Sequence, residues 1–174
     1  MNDTKTQNLT PKSKNITITQ IYIRYYETDR MKIVHHSNYF RYFEISRCEF
    51  FSQNIIPYSI LEEKYYLLSP VISAKASFYK PLKFEDILSI ATFIYYFDKI
   101  KVKFQYIGIL GKFNNIEELL ENKKNNLVCI GETEHVFVNS KTFKPTRPKV
   151  FIEEKGEMLD KIISAAVAQL DQSM

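Results

Sequence analysis

Glycine is scarce in this chain of 174 residues, with four in all. No G-x-G-x-x-G run and no Walker-type phosphate loop can be assembled from them, which removes nucleotide binding of those kinds. Cysteine is scarce too. Cys48 and Cys129 both fall in predicted apolar elements, the rest of the chain reads as cytoplasmic, and no disulfide between them is expected. No stretch reaches the roughly 18 uninterrupted apolar residues of a membrane span. The opening MNDTKTQNLTPKSKN has no apolar run behind its charges, so no signal peptide is expected. The N-x-T sequons at Asn8 and Asn15 read as chance matches. Excess charge of one sign is also slight. A formal net charge of +4 falls short of a nucleic-acid footprint and suits a small anionic ligand at least as well. The adjacent His35 and His36 lack clustered cysteines or carboxylates at ligand spacing, so no metal site is expected.

What is present is a 45% hydrophobic chain rich in Ile, Tyr and Phe, enough for one globular domain with strands. Residues 1–14 read as a disordered tail. Ile16 to Tyr26 reads as a strand in which Ile21, Ile23 and Tyr25 alternate with Tyr22, Arg24 and Tyr26. Ile16 and Ile18 fall out of that phase and predict a bulge or a strand start near Gln20. Tyr58 to Lys64 suits a short helix. Strands are then predicted over Val71–Tyr79 (Ile72, Ala74, Ala76 and Phe78 on one face), Ile87–Phe97, Lys101–Ile109 and Leu127–Asn139 (Val128, Ile130, Val136 and Val138 on one side). Asp98-Lys99 fits a hairpin turn, Ile116–Asn122 a helical turn within a charged connection, and Glu153–Gln172 an amphipathic helix. One early helix followed by consecutive antiparallel strands is an α+β pattern.

The stretch around which this is organised is Tyr25 to Phe51. A strand ends in a loop with one carboxylate, Asp29, and the loop opens a helix at His36-Ser37-Asn38, residues of the type that cap helices. That helix runs to about Gln53 and carries Tyr39, Phe40, Tyr42, Phe43, Ile45, Cys48, Phe50 and Phe51, too many apolar residues for one stripe. It is expected to be buried on most sides, inside a curving sheet. Its first turn presents unpaired N–H groups and the positive end of the dipole. A carboxylate facing those donors is suited to attack on a carbonyl and to holding the oxyanion that forms.

Arg24-Tyr25-Tyr26-Glu27-Thr28-Asp29, followed by Ile33-Val34-His35-His36-Ser37-Asn38-Tyr39, resembles the hotdog-fold acyl-CoA thioesterases of the 4-hydroxybenzoyl-CoA thioesterase and YbgC-like kind. The resemblance continues through Tyr42-Phe43-Glu44, Arg47-Cys48-Glu49, Tyr79-Lys80-Pro81-Leu82 and Glu85-Asp86-Ile87-Leu88, and ends around Gly131, His135, Val138 and Pro145–Pro148. It implies a hotdog domain over residues 15–150, a curved antiparallel sheet wrapped around a long central helix, and residues 151–174 read as an added helical extension outside the resemblance. It further implies a cytoplasmic homodimer with a continuous sheet, often paired into a homotetramer, with active sites at the dimer interface. No cofactor is implied, since coenzyme A is part of the substrate. Lys32 stands where the family carries glycine, a position suited to a positive φ. The segment 112–126 reads as an addition.

By this resemblance Asp29 matches the family's catalytic carboxylate, as general base or nucleophile. The plain alternative is a loop aspartate in an Asx turn. His36, seven residues on, matches the family's histidine and offers its backbone N–H to an oxyanion, or is a solvated ring at a helix start. Glu44 on the helix is a reserve carboxylate, or an ion-pair partner of Arg41 or Arg47. One of Tyr25 and Tyr26, with Tyr26 preferred, is expected to face the acyl pocket, set against aromatic packing, and Tyr39 is a further substrate-binding candidate. Lys75, Lys80, Lys83, Arg147 and Lys149 are candidates for the phosphates of CoA, set against a solvated face. The reading is thioester hydrolysis of an acyl-CoA. Its rivals are an acyl-carrier-protein thioesterase, a non-catalytic acyl-thioester-binding module and, on mild basicity alone, a nucleic-acid binder.

Overall fold

The computed structural model describes residues 16–98, 100–149 and 153. The expected N-terminal tail, the asparagines of both sequons, Lys99 of the hairpin turn and nearly all of the C-terminal helix lie outside these residues. Five strands form one antiparallel sheet in the order β1-β4-β5-β6-β3: β1 Thr17–Tyr22, β3 Val71–Phe78, β4 Ile87–Phe97, β5 Lys101–Leu110 and β6 Leu127–Val136. The helix α1, Ser37–Asn54, lies along one face of the sheet, and α2, Tyr58–Tyr65, follows it. A two-stranded ribbon pairs β2, Leu67–Leu68, with β7, Val138–Asn139, and α3, Ile116–Asn126, connects β5 to β6. Among the described residues no helix is long and apolar enough to cross a membrane.

The core between sheet and α1 is largely aromatic. Phe43 is fully buried and stacks on Tyr106 at a centroid distance of 4.5 Å. Phe50 and Phe51 both pack on Phe104 at 5.8 Å. Helix and sheet come this close because residue 131 has no side chain: a Cβ there would overlap the Phe43 ring. A second cluster, with Phe93, Ile107, Ile109, Phe113, Ile116 and Leu119, places α3 over the opposite face of the sheet.

Several local expectations are corrected. β1 ends at Tyr22, and Tyr25–Glu27 forms a single 3-10 turn. β1 has no bulge, and its inward face is Thr17, Thr19 and Ile21. The two threonines are buried without penalty because α1 satisfies them: Thr19 Oγ1 donates to Glu49 Oε2 at 2.6 Å, and Asn54 Nδ2 donates to Thr17 Oγ1 at 2.7 Å. In β6 the fully buried phase is Cys129, Gly131, Thr133 and His135, whereas Ile130 and Val136 are half-buried on the other side. α1 is not buried on most sides: Phe40, Arg41, Glu44, Ile45 and Cys48 form an exposed face. β3 is a sheet edge whose Ile72 and Phe78 remain about half exposed. The hairpin turn after β4 is closed by Asp98, whose Oδ1 accepts the N–H groups of Ile100 (3.0 Å) and Lys101 (2.6 Å). Both cysteine thiols are free.

A polar chain crosses the core. The Ser69 carbonyl can only accept, so His135 Nδ1, 3.0 Å away, carries the ring proton. His135 Nε2 then accepts from Thr133 Oγ1 at 2.9 Å, and Tyr106 donates to that hydroxyl at 2.8 Å. The Arg47 guanidinium, buried on α1, lies beside Tyr58 and Tyr106. Burial, reinforced by the Arg47 charge and opposed by the Ser69 carbonyl, pushes His135 down to about 4. His135 is therefore neutral at physiological pH.

Candidate functional site

Asp29 sits in a tight loop closed by a bridge between Thr28 and Val34. Its N–H donates to Ile33 O at 2.9 Å, its carbonyl accepts from Lys32 N–H at 2.9 Å, and its Oδ1 accepts from Met31 N–H at 2.7 Å. The last of these is an Asx turn. Lys32 adopts φ +60°, the left-handed conformation that a glycine would take without steric cost. The loop is fixed to its surroundings from two sides. Val34 N–H donates to Leu82 O at 2.8 Å, and Glu27 O accepts from His35 N–H at 2.9 Å and from Asn38 Nδ2 at 2.8 Å.

These bonds hold Asp29 at the mouth of α1. His36 already has helical angles, φ −54° and ψ −30°, and its own side chain makes no capping hydrogen bond, contrary to the cap-type reading of residues 36–38. Instead Asn38 and Tyr39 N–H groups turn back to the carbonyls of His35 and His36 at 3.0 and 3.3 Å. Ser37 N–H reaches His35 Nδ1 at 3.4 Å, and the His36 N–H meets no acceptor among the described residues. The His35 and His36 rings lie 4.2 Å apart, and His35 Nδ1 is 2.8 Å from Ser37 Oγ.

A cleft of about 320 Å³ opens here, lined by Asp29, Ile33, Val34, His36, Tyr39, Phe78, Tyr79, Lys80 and Pro81. Asp29 is thus both an Asx-turn residue and a cleft residue, and the two readings are compatible. One carboxylate oxygen is tied to Met31, and no partner among the described residues holds the other. Tyr39 is buried against Phe78, with centroids 4.7 Å apart, and burial raises its hydroxyl well above the ordinary tyrosine range. Pocket walls of apolar rings with few polar groups are the ordinary make-up of a small-molecule site.

Asp29, His36, Tyr39 and Lys80 therefore come together in one cleft. The other candidates do not line it. Glu44 is exposed on the outer face of α1, and among the described residues no ion pair joins it to Arg41 or Arg47. Tyr26 is 67% exposed and its hydroxyl accepts from Arg24 Nη1 at 2.8 Å. Lys75 is exposed on the edge strand β3. Lys83 is exposed in the connection to β4, and Arg147 and Lys149 are exposed after β7. The wall formed by Phe78, Tyr79 and Pro81 was not among the predicted site residues. Its signal was the Tyr-Lys-Pro block, whose residues follow the β3 edge directly. Among the described residues no group of three or more His, Cys, Asp or Glu is arranged to hold a metal ion.

The family model described as Thioesterase-like superfamily matches residues 23–156. An acyl-CoA thioesterase, YbgC, of Helicobacter pylori is 34% identical over 134 residues, 75% of this chain and 93% of that one. A putative esterase of Aquifex aeolicus is 36% identical over 85 residues, 49% of this chain and 66% of that one. The structure of a DHNA-CoA thioesterase from Staphylococcus aureus superposes with a TM-score of 0.74 at 24% identity, covering 88% of this chain and 95% of that one.

Proposed function

The chain belongs to the thioesterase-like superfamily, with its hotdog fold, and from that premise we propose that it is an acyl-CoA thioesterase that releases a free acid and CoA. The observation that carries this reading is the meeting of Asp29 with the mouth of α1 at His36 in one cleft. Asp29 acts as general base, taking a proton from water as its oxygen attacks the thioester carbonyl, or as nucleophile, forming an acyl anhydride that water then opens. The negative charge that develops on the carbonyl oxygen is received by the His36 N–H and the helix dipole behind it. The His36 ring assists by orienting the carbonyl or the water. Collapse of the tetrahedral species expels the CoA thiolate, which takes up a proton. Tyr39 and Phe78 line the acyl side, and Lys80 faces the phosphates of CoA. No cofactor or metal enters the scheme.

Assembly is part of the proposal: a homodimer, or two such dimers in a tetramer, with β3 pairing to its copy to extend the sheet. The exposed edge of β3, with Val71, Ile72 and Phe78 each 47–49% exposed, and the exposed Phe40 and Ile45 of α1 support it. Free thiols and a CoA substrate fit the cytoplasm.

The experiment is a panel of aliphatic and aromatic acyl-CoA esters, with thiol release followed for wild type and Asp29→Asn. The proposal expects turnover on at least one ester and its loss in the variant. The rival acyl-carrier-protein thioesterase is separated by matched acyl-CoA and acyl-carrier substrates, and faster hydrolysis of the carrier ester would move the assignment to it.

A further inference from the structure

The segment 112–126 between β5 and β6 is built rigidly. Ile116 and Leu119 are buried on the outer face of the sheet, Asn115 Oδ1 accepts the Glu118 N–H at 2.8 Å, and Phe113 is held by Ser89 Oγ (3.2 Å) and Gln20 Nε2 (3.0 Å). Its helix, α3, ends beside the cleft. The cleft wall and the start of β6 share one acceptor, since Tyr79 and Lys80 both direct their N–H groups to Val128 O, at 2.8 and 3.4 Å. From that wall the Lys80 ammonium reaches the end of α3, 3.3 Å from Asn125 O and 3.2 Å from Asn126 Oδ1. The last turn of α3 brings two further cations, Lys123 and Lys124, while the acidic Glu117 and Glu118 sit in its first turn. Lys124 is exposed and Lys123 half-buried. The helix dipole accounts for lysines in a last turn. The same free carbonyls draw in the Lys80 ammonium from the cleft wall, so three cations gather at the end of the helix that lies next to the cleft.

We propose that the C-terminal turn of α3 is a phosphate-binding subsite, in which Lys123 and Lys124 act with Lys80 on the phosphates at the nucleotide end of a CoA thioester. The inference rests on the thioesterase reading above and adds to it the residues that select CoA over a shorter thiol. The inserted helix places the charges, and Lys80, which touches both helix and cleft, fixes the subsite relative to the reacting carbonyl.

The test compares one acyl group carried on CoA and on pantetheine, which lacks the phosphates, in wild type and the Lys123→Gln/Lys124→Gln variant. Each exposed ammonium–phosphate contact contributes a few-fold, so the ratio of kcat/KM for acyl-CoA over acyl-pantetheine falls about tenfold in the variant, through KM. The salt dependence of KM for acyl-CoA weakens with it. Lys80→Gln lowers the same ratio. An unchanged ratio overturns the proposal, as does an equal loss on both esters, which marks a structural role. A loss confined to acyl-carrier-protein substrate also overturns it. A wild type that hydrolyses neither ester fails the thioesterase reading instead. In that case calorimetric titration with CoA itself carries the test, with binding about tenfold weaker in the variant expected and equal binding overturning the subsite.

Discussion

Acidification removes stability through His135. Its ring is fully buried between the Ser69 carbonyl and the Thr133 hydroxyl and faces the Arg47 charge from α1, with Tyr106 of β5 next in the chain. Protonation would place a second cation beside Arg47 and turn Nε2, now an acceptor, into a donor against a hydroxyl that donates to it. In the unfolded chain the ring titrates near 6.5; in the folded protein it titrates near 4. Between those values the unfolded state binds more protons, so stability falls as pH falls, is complete above about 6.5 and is lost by about 4. The full difference is about 3 kcal/mol, and about 2 kcal/mol of it falls between pH 7 and pH 5. The measurement is urea unfolding at those two pH values, at fixed protein concentration, for wild type and His135→Gln. Surface carboxylates titrate alike in both proteins, so the quantity of interest is the difference between their pH dependences. Wild type is expected to lose about 2 kcal/mol more than the variant on going from pH 7 to pH 5. Equal losses would refute the argument that the ring is held neutral by burial and by Arg47.

Two further outcomes follow from backbone and packing. Lys32→Gly relieves a left-handed lysine and is expected to raise stability by about 1 kcal/mol, read as an upward shift of the thermal midpoint; a lower midpoint would show that the lysine side chain holds the loop. Gly131→Ala drives a methyl group into the buried Phe43 ring and is expected to cost about 1–3 kcal/mol in urea unfolding; an unchanged midpoint would mean that α1 moves off the sheet freely.

The bounds of β4 and β5 were legible because their runs of Ile, Tyr and Phe are long and end at Asp98 and Gly111. The positive φ at Lys32 was legible because the family resemblance sets a glycine at that position. The inward faces of β1 and β6 were not. They carry Thr17, Thr19, Gly131, Thr133 and His135, which are buried because α1, Tyr106 and Ser69 supply their partners or their need for space, and no window of sequence contains both sides of those contacts. The same limit hid the ribbon of β2 and β7, two residues each, which exists only as a pairing between distant segments. The exposed face of α1 defeated a reading that assumed one chain buries all its apolar side chains. Asp29 and His36 were put forward on the family resemblance, and one cleft brings the two together. Phe78 and Tyr79 were not put forward, because their place in the cleft depends on β3 ending beside the mouth of α1.

The central claim concerns one carboxylate, and Asp29→Asn addresses it with little disturbance, because an asparagine Oδ1 can still accept the Met31 N–H and keep the turn. The direct measurement is kcat on the best acyl-CoA ester of the panel for wild type and Asp29→Asn, with thermal midpoints taken on the same samples. The account predicts matching midpoints and a kcat reduced by about a thousandfold in the variant. Wild-type turnover in a folded Asp29→Asn protein would contradict it.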